Sequence, residues 1–179
     1  MIGFLRFIGV MNAAVWLGAA VFFTVGAGPA IFSSDLNAAL GHPPNFPYFS
    51  GVIAGVVLVR YYYFNLICAL VALAHLLGEW LYLGRPGRKF SLGLLLGLLA
   101  IVWINGGLLG PHLRQLHTRH YAGNVQPAER LAAGRSFRIW HVVGQFLNTV
   151  LIGGLVVRVW RVSNPADDVR FVSSMKFRG

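Results

Sequence analysis

Ionisable and amide side chains recur at helical spacing in one strongly apolar part of the chain. Five positions there follow steps of three or four residues and share one face of a helix: Asn65, Cys68, Ala72, His75 and Glu79. His75 and Glu79, one turn apart, could serve as a proton, ion or ligand site, or could tie two helices together by a hydrogen bond. Because polar groups that face lipid are costly, this face is predicted to point into a helix bundle, with Glu79 buried beside His75.

A second polar set lies nearer the C-terminal end, again at steps of three or four residues: Arg135, Arg138, His141, Gln145 and Asn148. We expect it to face the interior too, either as a hydrogen-bond ladder between helices or as a funnel for an anionic group such as a lipid phosphate. With a rise of about 1.5 Å per residue, His75, Glu79 and Asn12 fall in an inner layer of the membrane. The outer layer holds His141, Asn65, Gln145 and Asn105, with Asn148 lying between the two.

The histidines bear on haem and metals. His75 and His141 differ in depth by roughly 15 Å, too far for both to ligate one haem. No cofactor is predicted, although a single-histidine haem or a copper site with mixed ligands stays open. Near the outer ends of the helices, three further histidines are candidates for a metal without any accompanying cysteine or acid: His112, His117 and His120.

Catalytic signatures are missing from the sequence. There is no phosphate-binding glycine loop, no nucleophile elbow and no zinc-protease helix motif. With only 5 acidic residues, the chain has no carboxylate dyad to act as acid and base. The sequence therefore does not predict an enzyme.

Four long uncharged stretches must position these residues. Of 179 residues, 56% are hydrophobic and only 11% are charged, too few charges to cover a soluble domain. Since about 20 apolar residues cross the hydrocarbon core as a helix, we predict an all-α integral membrane protein, a four-transmembrane-helix bundle that forms one domain, 1–162. Spans 1 to 4 are predicted at 7–32, 61–83, 91–110 and 137–159, with span 1 kept as an uncleaved segment.

Two segments lie outside the predicted spans. Between spans 1 and 2, Pro43, Pro44 and Pro47 leave roughly a dozen apolar residues before span 2, which predicts a re-entrant or interfacial helix. The tail, 163–179, combines two aspartates near its start with alternating apolar and basic residues. It is predicted to lie along the cytoplasmic membrane surface.

Charged and aromatic residues set the expected orientation. The basic segment RPGRK, 85–89, joins spans 2 and 3 and places both termini in the cytoplasm, so the chain is expected in a bacterial cytoplasmic membrane. Tyr61 is expected at the outer end of span 2, and Trp80 and Trp160 at the inner ends of spans 2 and 4. The net charge of +10 then reflects topology and anionic lipid, and no nucleic-acid partner is expected.

Several short motifs together resemble a known family. They are VWLGAAVFF and GAGPAIF in span 1, HLLGEW in span 2, PHLRQLHTRHY after span 3 and FRIWHVVGQFLN in span 4. Their order resembles the small four-span membrane family that includes the animal transmembrane protein associated with cisplatin resistance, whose bacterial members are described as a domain of unknown function. Span 1 is also distantly similar to copper-resistance D-type membrane proteins, which place a histidine ahead of the tryptophan where this chain has Phe7 to Val10.

The resemblance implies membrane residence, a link to tolerance of metals or drugs, and a set of recurrent positions. Those positions are Trp16, Gly18, Pro29, His75, Glu79, Trp80, Pro111, His117, Trp140, His141, Gln145 and Asn148. Gly144 stands where the family often has a serine, so no role that needs a hydroxyl is implied there.

Together these features favour a non-catalytic membrane bundle that is an accessory or small-ligand and lipid-binding subunit of a larger membrane assembly. Its expected partners are membrane lipids and other membrane protein subunits. The alternative is a metal or small-molecule transport or tolerance protein that uses the intramembrane His, Glu and Asn side chains. A haem- or metal-dependent membrane enzyme ranks third.

Overall fold

The computed structural model describes residues 2–83 and 89–164, which form helices joined by short turns. In chain order the elements are α1 (Ile2–Phe22), the π-helix Phe23–Ala27, α2 (Gly28–Ile31), α3 (Ser34–Ala39), α4 (Phe46–Leu83), α5 (Lys89–Trp103), the π-helix Ile104–Leu109, α6 (Gly110–Tyr121) and α7 (Pro127–Ser163). The predicted cytoplasmic loop before Lys89 and the predicted surface tail from Pro165 onward lie outside the described residues.

Four continuous helical rods are long and apolar enough to cross a bilayer. They are Gly3–Ile31, Phe46–Leu81, Lys89–Tyr121 and Pro127–Ser163, and we call them spans 1 to 4 from here on. Each corresponds to one predicted span, and no strand occurs within the described ranges. The chain is therefore a multi-pass membrane protein with an all-α four-helix fold, as predicted.

The four spans pack as a square. Span 1 contacts spans 2 and 4, and span 3 contacts the same two, so spans 1 and 3 stand on a diagonal. Trp16, Leu95, Leu151 and Leu155 are each at most 2% exposed and fill the centre. Most other large apolar side chains point outward, as expected where the surrounding solvent is lipid.

Each π-helix ends immediately before a Gly-Pro pair. The N–H groups of Gly28 and Gly110 donate to carbonyls five residues earlier, which is the π-helical pattern. Pro29 and Pro111 have no N–H, and in an α-helix their rings would clash with the carbonyl four residues back. The wider turn relieves that clash, so spans 1 and 3 pass their prolines without a break.

The segment before span 2 differs from its prediction. Residues 46–59 are not a separate interfacial or re-entrant helix; they are the first part of α4 and continue directly into the stretch predicted as span 2, 61–83. Pro47 lies in the first turn of α4, where a missing N–H breaks no helical hydrogen bond. The separate short helix between spans 1 and 2 is α3, which begins after Ser33, whose hydroxyl accepts the Leu36 N–H at 3.2 Å.

Exposed side chains mark the expected level of the bilayer. Trp140 and Trp160 on span 4 are both exposed and stand twenty residues apart, a distance of about 30 Å along a helix. Arg60 and Trp80 on span 2 are exposed at the same spacing. Trp80 and Trp160 then mark the boundary on the side of Ile2 and Asn164, which we call the inner one, and Arg60 and Trp140 mark the opposite boundary, which we call the outer one. Residues 46–59, α6 and the start of α7 extend beyond the outer boundary.

Candidate functional site

The polar face of span 2 is buried along most of its length. Asn65, Cys68, Ala72 and His75 are at most 7% exposed, which confirms that this face points inward. At about 100° per residue, the stripe stays within an arc of about 80°, so one helix face holds it. The side chain of Glu79 is 42% exposed, and the prediction that it is buried is wrong. Glu79 precedes Trp80 at the inner boundary, which is why water reaches it.

Asn65 is the centre of a hydrogen-bond network between spans 1 and 2. Trp16 Nε1 donates to Asn65 Oδ1 at 2.7 Å, and Asn65 Nδ2 donates to the Tyr61 carbonyl at 2.7 Å. Both Asn65 and Trp16 are fully buried, so these bonds satisfy groups that water cannot reach. The network fixes the height of span 1 against span 2.

Tyr61 extends the network to span 4. Its phenol donates to Asn148 Oδ1 at 2.8 Å, Asn148 Nδ2 donates to Thr24 Oγ1 at 2.7 Å, and Thr24 donates to the Ala20 carbonyl at 2.7 Å. The Tyr61 ring also stacks on Phe23 at the start of the first π-helix, with centroids 4.1 Å apart. Tyr61 follows Arg60 at the outer boundary, as predicted, but at 8% exposed it packs inside the bundle and does not face the lipid interface. Spans 1, 2 and 4 are joined by one continuous set of polar contacts.

Asn12 lies near the level of this network and not beside His75. Its Nδ2 donates to the Cys68 carbonyl at 3.0 Å, about two helical turns from His75. The predicted inner layer of His75, Glu79 and Asn12 is therefore wrong in its third member. The predicted depth of Asn12 took residue 7 as the inner end of span 1. The helix already begins at Ile2, so Asn12 lies deeper than predicted.

His75 is held by the backbone of span 1. Its Nε2 lies 2.7 Å from the Leu5 carbonyl, close enough for Nε2–H to donate, whereas Glu79 Oε1 is 3.9 Å from the same nitrogen. Gly9 makes room for the ring, because a Cβ there would lie 2.5 Å from His75 Cε1. The geometry therefore makes His75 a link between spans 1 and 2, and Glu79 is not its hydrogen-bond partner.

The predicted stripe on span 4 is not one face. Arg135, Arg138, His141 and Gln145 are exposed, and only Asn148 turns partly inward. The steps from Arg135 to Asn148 average little more than three residues, whereas one helical turn takes 3.6 residues. The side chains of the set therefore rotate around the helix axis by about 140° from first to last. The prediction that the whole stripe faces the bundle interior is wrong.

Asn105 is buried on span 3 but stands apart from the network. It is 1% exposed, and its Oδ1 has no hydrogen-bond partner in the part of the chain that the structure describes. Its backbone carbonyl accepts the π-helical bond from Gly110. The predicted outer layer is thus not one cluster, because Asn65 belongs to the network while His141, Gln145 and Asn105 do not.

The three outer histidines face different neighbours. His112 packs edge-on against Trp140, His117 stacks on Tyr48, both with centroids 5.6 Å apart, and His120 Nδ1 lies 2.9 Å from a carbonyl of α7. Across residues 2–83 and 89–164, no three His, Cys, Asp or Glu side chains come together as a metal site. An open cavity of about 300 Å³ lies beside them, lined by Asn45, Tyr48, Thr118, Tyr121 and Ala122.

Arg158 is the candidate that sequence reasoning missed. It lies near the end of the predicted span 4 and no site was assigned to it, but it is 5% exposed, and its Nε and Nη2 have no hydrogen-bond partner among the described residues. It follows the buried Leu151 and Leu155 at steps of four and three. That spacing was the available signal, because it places Arg158 on the core face of the helix.

The arrangement as a whole holds helices together. The amides, the indole and the phenol of the network bond to one another or to backbone carbonyls, and Cys68 is buried. Unused donors or acceptors on buried, described side chains of spans 3 and 4 remain at Asn105 and His117 toward the outer end, and at Arg158 and Arg161 toward the inner end. Arg158 and Arg161 are the members of this set that carry a permanent positive charge, so a site for an anion is expected at the inner end.

Comparison with known proteins identifies a family. The profile of the family described as Domain of unknown function (DUF4149) matches residues 11–122, which is more than half of the chain and spans its first three membrane helices. Neither the curated proteins nor the solved structures give a significant match. The resemblances to cisplatin-resistance and copper-resistance proteins have no counterpart in these findings. By the extent of the profile match, this chain belongs to the DUF4149 family.

Proposed function

We propose that this protein is a non-catalytic accessory subunit of a larger membrane assembly in the bacterial cytoplasmic membrane, with both termini on the cytoplasmic side. The observation that carries the proposal is an apolar stripe on α4 that continues past the outer boundary of the bilayer. The occupant of this stripe is a helix of a partner membrane protein, which crosses the bilayer beside span 2 and extends beyond it.

The stripe consists of Phe49, Val52 and Val56, which are 45%, 45% and 62% exposed. Steps of three and four residues put them on one face of α4. They lie about 6 to 16 Å beyond Arg60, where the hydrocarbon core no longer covers them. Exposed apolar patches outside lipid are typical of surfaces that bind another protein.

Two features at bilayer depth support a protein neighbour. Gln145 is exposed on span 4, five residues inside Trp140, where a polar side chain facing lipid is costly. On span 3, Gly93 and Gly97 are exposed, and a Cβ at either would meet nothing within 4 Å. Small residues at this spacing allow a second helix to approach closely.

Extraction of the chain from its native membrane in mild detergent, followed by native mass measurement, tests the proposal. We expect a stoichiometric membrane-protein companion. The double variant Val52→Gln/Val56→Gln should lose it, because two amides would be buried against an apolar partner. Leu131→Gln is the matched control, since Leu131 is 63% exposed beyond the same boundary but lies on α7. A lone monomer, or a companion that the double variant retains, would contradict the proposal.

The transport alternative rests on Glu79. Its carboxylate is partly exposed at the inner boundary and lies 3.9 Å from His75 Nε2. Transport would explain the link to metal or drug tolerance that the resemblance implies. Transport predicts that Glu79→Gln, expressed at the normal level, abolishes the tolerance that the chain confers. The accessory role predicts that the same variant still binds its companion. The geometry supports it less well, because Asn12, Asn65 and His75 are already bonded within the protein.

A further inference from the structure

The inner end of the bundle gathers three arginines. Arg158 and Arg161 lie near the end of α7 and Arg6 near the start of α1, where Arg6 Nη2 donates to the Ser163 carbonyl at 2.9 Å. The Arg161 guanidinium lies over the Phe90 ring at the start of α5, 4.7 Å from its centroid. The inner ends of spans 1, 3 and 4 therefore meet around these cations.

Arg158 is the buried member of this group. Its unpartnered nitrogens, Nε and Nη2, form one edge of the guanidinium, and Arg161 Nε likewise has no partner within the described ranges. Arginine stays charged at any ordinary pH, and a buried charge without a partner strongly destabilises a fold. The buried, unpaired edge of Arg158 therefore calls for an anion.

Glu79 does not supply that anion fully. Its charge acts on Arg158, yet among the described residues the one basic nitrogen within 4 Å of its carboxylate is His75 Nε2. A single partly exposed carboxylate does not balance three arginines, so the described part of this end of the bundle stays positive. The missing negative charge must come from outside these residues.

We propose that Arg158, flanked by Arg6 and Arg161, binds the phosphate of an anionic phospholipid. Arg158 lies two residues before Trp160, at the level of the headgroups, and one guanidinium edge matches two phosphate oxygens. Phe4, Phe7 and Phe90 at the same end are 69%, 60% and 56% exposed and can lie along acyl chains. A free phosphate ion would pair with Arg158 but would make no contact with those apolar side chains, which favours the lipid.

Purified full-length chain, without any companion, is sufficient for the test, so its outcome is separate from that of the accessory role. The detergent-solubilised chain is titrated with dioctanoyl phosphatidylglycerol, dioctanoyl phosphatidylcholine and inorganic phosphate. Bound molecules are counted by native mass spectrometry, and the thermal unfolding midpoint is followed. We expect phosphatidylglycerol to bind saturably and raise the midpoint, and the other two to do neither.

The variants separate a lipid site from general attraction. Arg158→Gln should weaken phosphatidylglycerol binding by about tenfold or more, because it removes a charge-assisted bidentate pair. Arg138→Gln, which removes an exposed arginine at the other end, should bind like the wild type. In detergent without lipid, Arg158→Gln should unfold no earlier than the wild type, because it removes an unpaired buried charge.

Four results would overturn the assignment. The first is equal affinity of Arg158→Gln and wild type for phosphatidylglycerol, and the second is equally tight binding of phosphatidylcholine. The third is full protection by inorganic phosphate alone, which would assign the site to a free anion. The fourth is tighter lipid binding by Asp167→Asn/Asp168→Asn, which would make those carboxylates the partners of Arg158.

Discussion

The bond between Trp16 and Asn65 joins two residues that are both fully buried, so water cannot replace a lost partner. Asn65→Leu leaves the indole N–H of Trp16 unpaired. We expect it to lower the free energy of unfolding by about 1–3 kcal/mol. Denaturant unfolding of the purified chain in detergent micelles, followed by circular dichroism, measures the change.

Trp16→Phe provides the matched comparison for that bond. Replacing both polar partners by apolar ones of similar size leaves no buried polar group unpaired. The free energy of unfolding should therefore fall less in the double variant Asn65→Leu/Trp16→Phe than the falls in the two single variants added together. Strictly additive losses would show that the hydrogen bond contributes no coupling.

Gly9 is predicted to be intolerant of any side chain. Gly9→Ala places a Cβ against the His75 ring and should separate Nε2 from the Leu5 carbonyl. We expect the unfolding midpoint to fall by an amount equivalent to about 1–3 kcal/mol. Gly18→Ala is the control on the same helix, because a Cβ there meets nothing within 4 Å and alanine favours a helix. An equal fall in both variants would remove the special role of Gly9.

Single residues were predictable where one helix decides their position. Steps averaging 3.5 residues put Asn65, Cys68 and His75 on one inward face, and the structure keeps them there. Partners were not predictable, because they depend on the relative height of two helices. With that height unknown, Asn12 was placed at the depth of His75. In the structure the span 1 residue that lies against the His75 ring is Gly9, and Asn12 bonds to the Cys68 carbonyl.

At the scale of elements, α4 is the longest of the described helices. Its 38 residues correspond to about 57 Å, nearly twice the hydrocarbon thickness. In a Cys68→Ser background, we expect a membrane-impermeant maleimide to label the thiol introduced by Val56→Cys in lipid nanodiscs. Ile67→Cys should stay unlabelled in the same nanodiscs, although Val56 and Ile67 are 62% and 59% exposed. Equal labelling of the two positions would mean that the bilayer reaches Val56.

The existence and order of the elements were predictable, and their ends were not. Long uncharged runs identify four spans because few other structures tolerate them. The three prolines before span 2 suggested a break, yet Pro47 lies within the first helical turn, where proline is tolerated. The π-helices were not foreseen, although the Gly-Pro pairs at Pro29 and Pro111 mark where each ends.

At the scale of the whole molecule, the orientation in the membrane is a prediction that rests on the basic segment between spans 2 and 3. A reporter that is active only outside the cytoplasm should be active when fused after Leu40, between α3 and α4, and inactive when fused within 84–88. The reverse pattern would invert the molecule and move the Arg158 end to the outer leaflet. Expression levels of both fusions, measured by immunoblot, are the control.

Span 3 is the helix that the polar network leaves out. At bilayer depth, the hydrogen bonds between described side chains join spans 1, 2 and 4, while Leu95, Leu98 and Val102 hold span 3 by apolar packing. Within the bilayer, sliding or turning α5 would exchange one set of dispersion contacts for another, whereas moving span 1, 2 or 4 would leave a buried donor unpaired. If the bundle changes shape when a companion binds, spans 1, 2 and 4 form the fixed frame, α5 is the part that shifts, and the contact of His120 with the Arg130 carbonyl on α7 limits how far it moves.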